Sequence, residues 1–217
     1  MKKLLNKEWR LSSLMLTKLF ILFGLMTFLP GYPILMGAFF VCLGLFQSFQ
    51  NMRENNDILF SALLPVAKRD IVSAKFLLCL SVEGAAFVVM SVVTVLRMTV
   101  LSDAAVYRDN ALMTANLCFL GFVLLCFALF NGVFVRGFFR TAYYYGKPFV
   151  VFTVAAMGLI VFAEAVHYFP GMGWVNAFGF TNLGLQAIFL ILCGAVSTGI
   201  TAYAWRQSVR DFERIDL

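Results

Sequence analysis

Charge is the scarcest ingredient of this 217-residue sequence: Asp, Glu, Lys and Arg make up 13% of it, about half the share usual in a water-soluble domain. With 62% hydrophobic residues and a mean hydropathy of +0.89, a soluble fold would have to expose large apolar patches, which excludes that class. Histidine is present once, as His167. Cys42, Cys79, Cys118, Cys126 and Cys193 form neither a CxxC pair nor a zinc ligand set, so they read as structural thiols and no metal site is expected. The chain also has no GxxxxGK[ST] loop, and the glycines of "GYPILMG" and "FPGMGWVNAFG" lack the lysine, hydroxyl and strand context that cradle a phosphate. Nor does any nucleophile–base or paired-carboxylate spacing identify hydrolysis. The sequence is therefore not that of an enzyme, and any ATP-driven work would have to be powered by another chain.

What is abundant is apolar sequence in runs of membrane-crossing length, about 20 residues for a helix. Candidate spans run from about Leu14 to Leu29, Pro33 to Gln50, Ile71 to Val100, Asn110 to Val135, Pro148 to Phe169 and Thr181 to Trp205. The expected fold is thus all-α and polytopic, with six transmembrane helices and both ends on one side. Charge supports that sidedness. Lys2, Lys3, Lys7, Arg10 and Lys18 precede or open the first run, Arg53, Lys68, Arg69 and Lys75 follow the second, Arg136, Arg140 and Lys147 follow the fourth, and Arg206, Arg210 and Arg214 close the chain. Of the 17 Lys and Arg residues only Arg97 and Arg108 fall on the other side, so both termini are expected to be cytoplasmic. The net charge of +6 is spread over inner helix ends, where anionic lipid rather than nucleic acid is the ordinary partner.

The opening "MKKLLNKEWRLSSLMLTK" is too polar and lysine-interrupted to serve as the core of a cleavable leader. Its Leu4, Leu5, Trp9 and Leu11 alternate with Lys3, Lys7 and Arg10, the pattern of an interfacial segment over residues 1–13. Between the second and third runs, residues 51–70 are too charged to cross. There "RENNDILFSALLPVAKRDIVSAKF" offers Asn56 or Asp57 as a cap and Ile58, Leu59, Ala62 and Leu63 at helical spacing; Pro65 ends the pattern and Asp70 can cap the next helix. The expected product is a short cytoplasmic amphipathic helix tied to two spans, placed to receive motion from a soluble partner.

That stretch resembles the coupling region of the membrane subunit of ABC-2 type export systems, especially the small stand-alone permeases paired with a separate ATPase. The likeness lies in the acidic start at Glu54 and Asp57, the Leu63-Leu64-Pro65 turn and the Arg69 to Lys75 approach to the third span. It implies one permease domain over residues 1–217, a second permease subunit as homodimer or heterodimer, and two cytoplasmic ABC ATPase subunits. ATP and magnesium would be bound by those subunits and no cofactor by this chain; the home would be a bacterial plasma membrane. By the same resemblance, ATPase contact falls on Lys7, Glu8 and Trp9, and on the loop at Glu54, Asp57, Ile58, Leu59, Leu63, Leu64, Pro65 and Lys68. The cargo is left open among peptide, drug and amphipathic molecules.

Ionisable residues inside spans are costly unless paired or solvated. Glu83, Arg97 and Glu164 are therefore candidate pathway or structural groups, with His167 one helical turn beyond Glu164 on the same face. The 25 phenylalanines read either as the lining of an amphipathic route or as lipid-facing bulk. Two other readings stand beside the exporter: a non-transporting scaffold or assembly subunit docking through the same loop, and a secondary transporter.

Overall fold

The computed structural model describes residues 7, 9, 15–63, 65–102, 104–108, 110–141 and 144–215, with the backbone alone at 15, 16, 58, 59 and 62. The ordered elements among them are helical. α1 (Met15–Phe20) passes directly into a tighter 3-10 segment, Ile21–Phe28, and α2 (Met36–Glu54) returns beside it. A short α3 (Asp57–Ala62) precedes α4 (Lys68–Thr99), and α5 (Ala105–Arg108) follows. α6 (Leu117–Leu129) continues through a π-helical stretch, Phe130–Val135, into α7 (Arg136–Phe139). α8 (Gly146–Ala165) and α9 (Leu183–Glu213) complete the order, separated by 3-10 turns at Val166–Tyr168 and Gly173–Asn176.

Four of these helical stretches are long and apolar enough to cross a membrane: Lys68–Thr99, Leu117–Phe139, Gly146–Tyr168 and Leu183–Glu213. This corrects the expectation of six. The first apolar run carries Lys18 and is divided between a six-residue α-helix and an eight-residue 3-10 helix. The second forms a 19-residue helix, but its last turns carry Gln47, Gln50, Asn51, Arg53 and Glu54, which lower its hydropathy below that of a span. Both pieces instead pack within the bundle. Thr17 donates to the Gly44 carbonyl and shares a 2.6 Å hydrogen bond with Ser48, and Gly24 of the 3-10 segment abuts Val89 of α4.

The bundle is centred on Leu117–Phe139, 72% buried over its most apolar window, whereas α9 is 11% buried over its own. The outer faces of α8 and α9 expose Val151, Val154, Val161, Ile188, Ile191 and Val196, an apolar surface suited to lipid. Phenylalanine is mostly interior. Phe134 lies 4.9–5.4 Å from the rings of Phe46, Phe49 and Phe130, and Phe138, Phe139 and Phe152 are fully buried around them. These rings form a packed core. All five cysteines are buried free thiols.

α4 and α9 have 32 and 31 residues, or roughly 45–48 Å at 1.5 Å per residue, well beyond the roughly 30 Å hydrocarbon core. Their basic ends therefore project from the bundle on one side, and it is there that α3 sits. At the opposite end, carbonyls of the loop before α9 are met by side chains: Asn116 donates to Val175 and Ala177, and Gln186 to Trp174 and Ala177. Non-helical backbone near a bilayer needs such partners.

A charged joint between a short helix and the longest span

α3 starts where Asn56 adopts a left-handed φ of 50°, a conformation asparagine tolerates, and its carbonyl accepts from the Phe60 amide. The helix ends at Ala62, three residues before Pro65, which cannot donate to a continuing turn. Asp57 is its first residue, and the Asp57 carboxylate is the centre of an ionic joint. Lys7 reaches it at 2.5 Å and also donates to Ser61, while Lys75 of α4 donates to its other oxygen at 2.9 Å. Lys75 is 1% exposed and Asp57 13%. Burial alone would raise the Asp57 pKa, but Lys75 and Lys7 outweigh it and hold the carboxyl below the usual carboxylate range. Lys7, α3 and the longest span are thus fastened at one carboxylate. Beyond it two apolar side chains are largely open: Phe60, with the Lys7 ammonium 5.8 Å from its ring, is 59% exposed, and Leu63, just past the end of the helix, 86%.

The other residues expected at this site are dispersed around it. Trp9 packs partly buried on the core beneath the Lys18 ammonium, 5.7 Å from its ring. Glu54 is exposed at the end of α2, and Pro65 is exposed after α3. Lys68 donates to the Ile215 carbonyl at 2.6 Å and so ties the start of α4 to the end of α9. Glu8 and Leu64 lie outside the described residues, as do the side chains of Ile58 and Leu59. Asp70 lies in the first turn of α4, whose cap position is Ala67.

Deeper in the bundle, Glu83 of α4 is 4% exposed, and the Asn131 amide donates to both its oxygens, at 3.1 and 2.9 Å. Arg97 is 2% exposed. It donates to the Thr27 carbonyl at 2.8 Å and covers the Tyr107 ring at 4.2 Å, while Tyr107 donates to the Phe28 carbonyl. This guanidinium thus closes the end of the 3-10 segment, and it is buried where a snorkelling side chain would reach solvent. Glu164 accepts from the Met113 amide at 2.7 Å. His167 lies against Tyr168, their rings tilted with centroids 4.1 Å apart, and the Tyr168 hydroxyl donates to Ala111; Glu164 and Tyr168 therefore both hold the loop before α6. Among the described residues no group of three or more His, Cys, Asp or Glu gathers as a metal site.

Residues 3–213 match the family described as ABC-2 family transporter protein. The chain belongs to that family. No curated protein and no solved structure matches it. As an ABC-2 permease it is a multi-pass membrane protein without a catalytic motif, and its family membership implies pairing with a separate ATPase subunit.

Sequence reasoning missed three residues of this permease. Lys75 enters the sequence reading only as an inner-side cation and as the end of the Arg69 to Lys75 approach to the third span, although a lysine inside a predicted apolar helix signals a buried partner. Phe60 lay inside the amphipathic stretch but off the face assigned to Leu59 and Leu63. Asn131 is the one amide within an otherwise apolar "LCFLGFVLLCFALFNGVFV", and that isolation was a usable signal; its π-helical setting was not legible.

Proposed function

We propose that this permease is the membrane-spanning subunit of an ATP-driven exporter. Two permease subunits form the translocation pathway above two ATPase subunits that bind ATP and magnesium. The charge distribution supports a bacterial plasma-membrane setting with both termini cytoplasmic, since four crossings return the chain to its starting side and the basic helix ends then lie inside. Residues 51–70 act as the coupling loop. The observation that carries this reading is the exposed Phe60–Leu63 surface on a helix whose base is ion-paired to α4 through Asp57 and Lys75. A groove on the ATPase would receive the two apolar side chains, as amphipathic helices are received elsewhere. Closure of the ATPase pair on ATP would pull on α3, and the Asp57 joint would pass that movement to α4 and to the segment around Lys7 and Trp9. Cargo then enters from the inner leaflet or cytoplasm and leaves outward.

The test is the ATPase rate of the purified permease–ATPase complex, with and without transport, for Phe60→Ala and Leu63→Ala. Truncation of a buried interface anchor typically costs about 1–2 kcal/mol or more. The double variant should therefore lose about tenfold or more of the transport-coupled rate at limiting ATPase concentration, with membrane insertion intact. Unchanged coupling in an assembled complex would sink the assignment.

A further inference from the structure

Between α4 and α9 lies a cleft of about 830 Å³. It starts at the basic end of the bundle, where Arg69, Asp70, Ser73 and Trp205 line it, and runs past Phe76, Leu77 and Leu80 to Glu83 and Asn131. Asp70 and Glu83 are 13 positions apart on one helix, so the cleft penetrates roughly 20 Å. Its mouth is structured: the Trp205 indole donates to Ser73 Oγ at 3.0 Å, and Arg69 covers the Trp205 ring at 5.4 Å.

The deep end has more acceptors than donors. A carboxyl group offers several acceptor positions on its two oxygens, and Glu83 receives hydrogen bonds from one amide nitrogen, that of Asn131. The Oδ1 of Asn131 and the Oγ of Ser197, both of which line the cleft, are buried without a partner; Asn131 is 1% exposed and Ser197 9%. A carboxylate and an amide oxygen facing one space, with a free hydroxyl beside them, call for a cationic donor with several N–H groups. The volume lies within the range of small-molecule sites and is far larger than a bare monovalent ion needs. The walls between mouth and floor are apolar and aromatic. α9 contributes small side chains, Gly194, Ser197, Thr198, Thr201 and Ala202, which keep the space open.

We propose that this cleft binds an amphipathic amine, its primary ammonium seated on Glu83, Asn131 and Ser197 and its apolar body lying along Phe76, Leu77 and Leu80. The exposed Leu77 and Leu80 give such a molecule lateral access from the membrane. As a binding site the cleft needs no ATPase; as a cargo site it rests on the exporter reading above. The test is accordingly made on the full permease alone, so that its failure leaves that reading standing.

The probe is monodansylcadaverine, a primary ammonium on a five-carbon chain with an aromatic body. It is titrated into the full chain in phosphatidylcholine nanodiscs and read by energy transfer from tryptophan to dansyl. Trp205 at the mouth is the expected donor, so Trp205→Phe should remove most of the saturable signal. Wild type should saturate, and N-acetylation of the probe should abolish the saturable component. Glu83→Gln should weaken binding about tenfold to a hundredfold, the range for a hydrogen-bonded charged group. Should that variant fail to fold, Gly84→Leu serves the same purpose: Gly84 lines the cleft and a Cβ there meets nothing within 4 Å, so the new side chain fills the space without disturbing the bundle. It too should weaken binding at least about tenfold. Equal binding of the acetylated probe, or wild-type affinity in both variants, would overturn the proposal and leave an apolar groove that lipid fills.

Discussion

Asp57 joins three parts of the chain that sequence separation gives no reason to meet. Lys75 is 18 positions away and Lys7 is 50, and only Lys7 and Asp57 were expected to work together, on grounds of resemblance rather than distance. Removing the carboxylate while the buried Lys75 stays charged should be costly, about 3 kcal/mol by analogy with broken buried pairs. Asp57→Asn should accordingly lower the thermal midpoint of the purified permease, whereas Glu54→Gln on an exposed side chain should leave it within about 0.5 kcal/mol. The acid response carries a definite sign. The Asp57 pKa is lowered on folding, so its contribution is fully present above the unfolded carboxylate's pKa of about 3.9 and is lost as pH falls through the lower folded value. Melts below about pH 4 should therefore bring wild type and Asp57→Asn closer together. A constant gap across that range would show that the carboxylate's charge is not what stabilises the joint.

At the scale of elements, the four helices that can cross a membrane were legible to within a few residues at most ends, because their apolar composition is continuous. The first two apolar runs were misread. Lys18 was visible, but that the chain tightens into a 3-10 helix from Ile21 depends on Gly24 and Thr27 packing inside the bundle. Close approach of these pieces also depends on glycine. A Cβ at Gly44 would lie 2.5 Å from Cβ of Phe20, so Gly44→Ala must push α1 away from α2, at about 1–3 kcal/mol. Gly158→Ala in α8 is the control: no atom stands within 4 Å, and alanine in a helix is favoured by about 0.5–1 kcal/mol. Thermal unfolding of the two variants should move in opposite directions, and parallel losses would contradict the packing described for α1 and α2. The short helix α3 was legible in place, from Asp57 on, but it ends at Ala62 rather than running up to Pro65. Which of its residues are exposed was not legible, since that depends on where α4 and Lys7 lie.

For the molecule as a whole, the strongest sequence signal was the asymmetry of Lys and Arg, and it survives the correction from six spans to four because both numbers are even. Single cysteines in a background where the native five are replaced should report it: Leu63→Cys and Arg210→Cys accessible from the cytoplasm, Ser102→Cys from outside. Leu63→Cys and Ser102→Cys labelling from the same side would refute the orientation. The pairing of Glu83 with Asn131 and the cleft beside it belong to this scale too, since neither exists until α4, α9 and the π-helical stretch are assembled. The central claim is that α3 couples this permease to an ATPase through Phe60 and Leu63. Affinity purification of the native complex in mild detergent, comparing wild type with Phe60→Asp/Leu63→Asp, tests it most directly. The account predicts a stoichiometric ATPase with wild type, and its loss from the double variant while the permease stays folded in the membrane. Recovery of a native complex without an ATPase, or equal ATPase recovery with both forms, would contradict it.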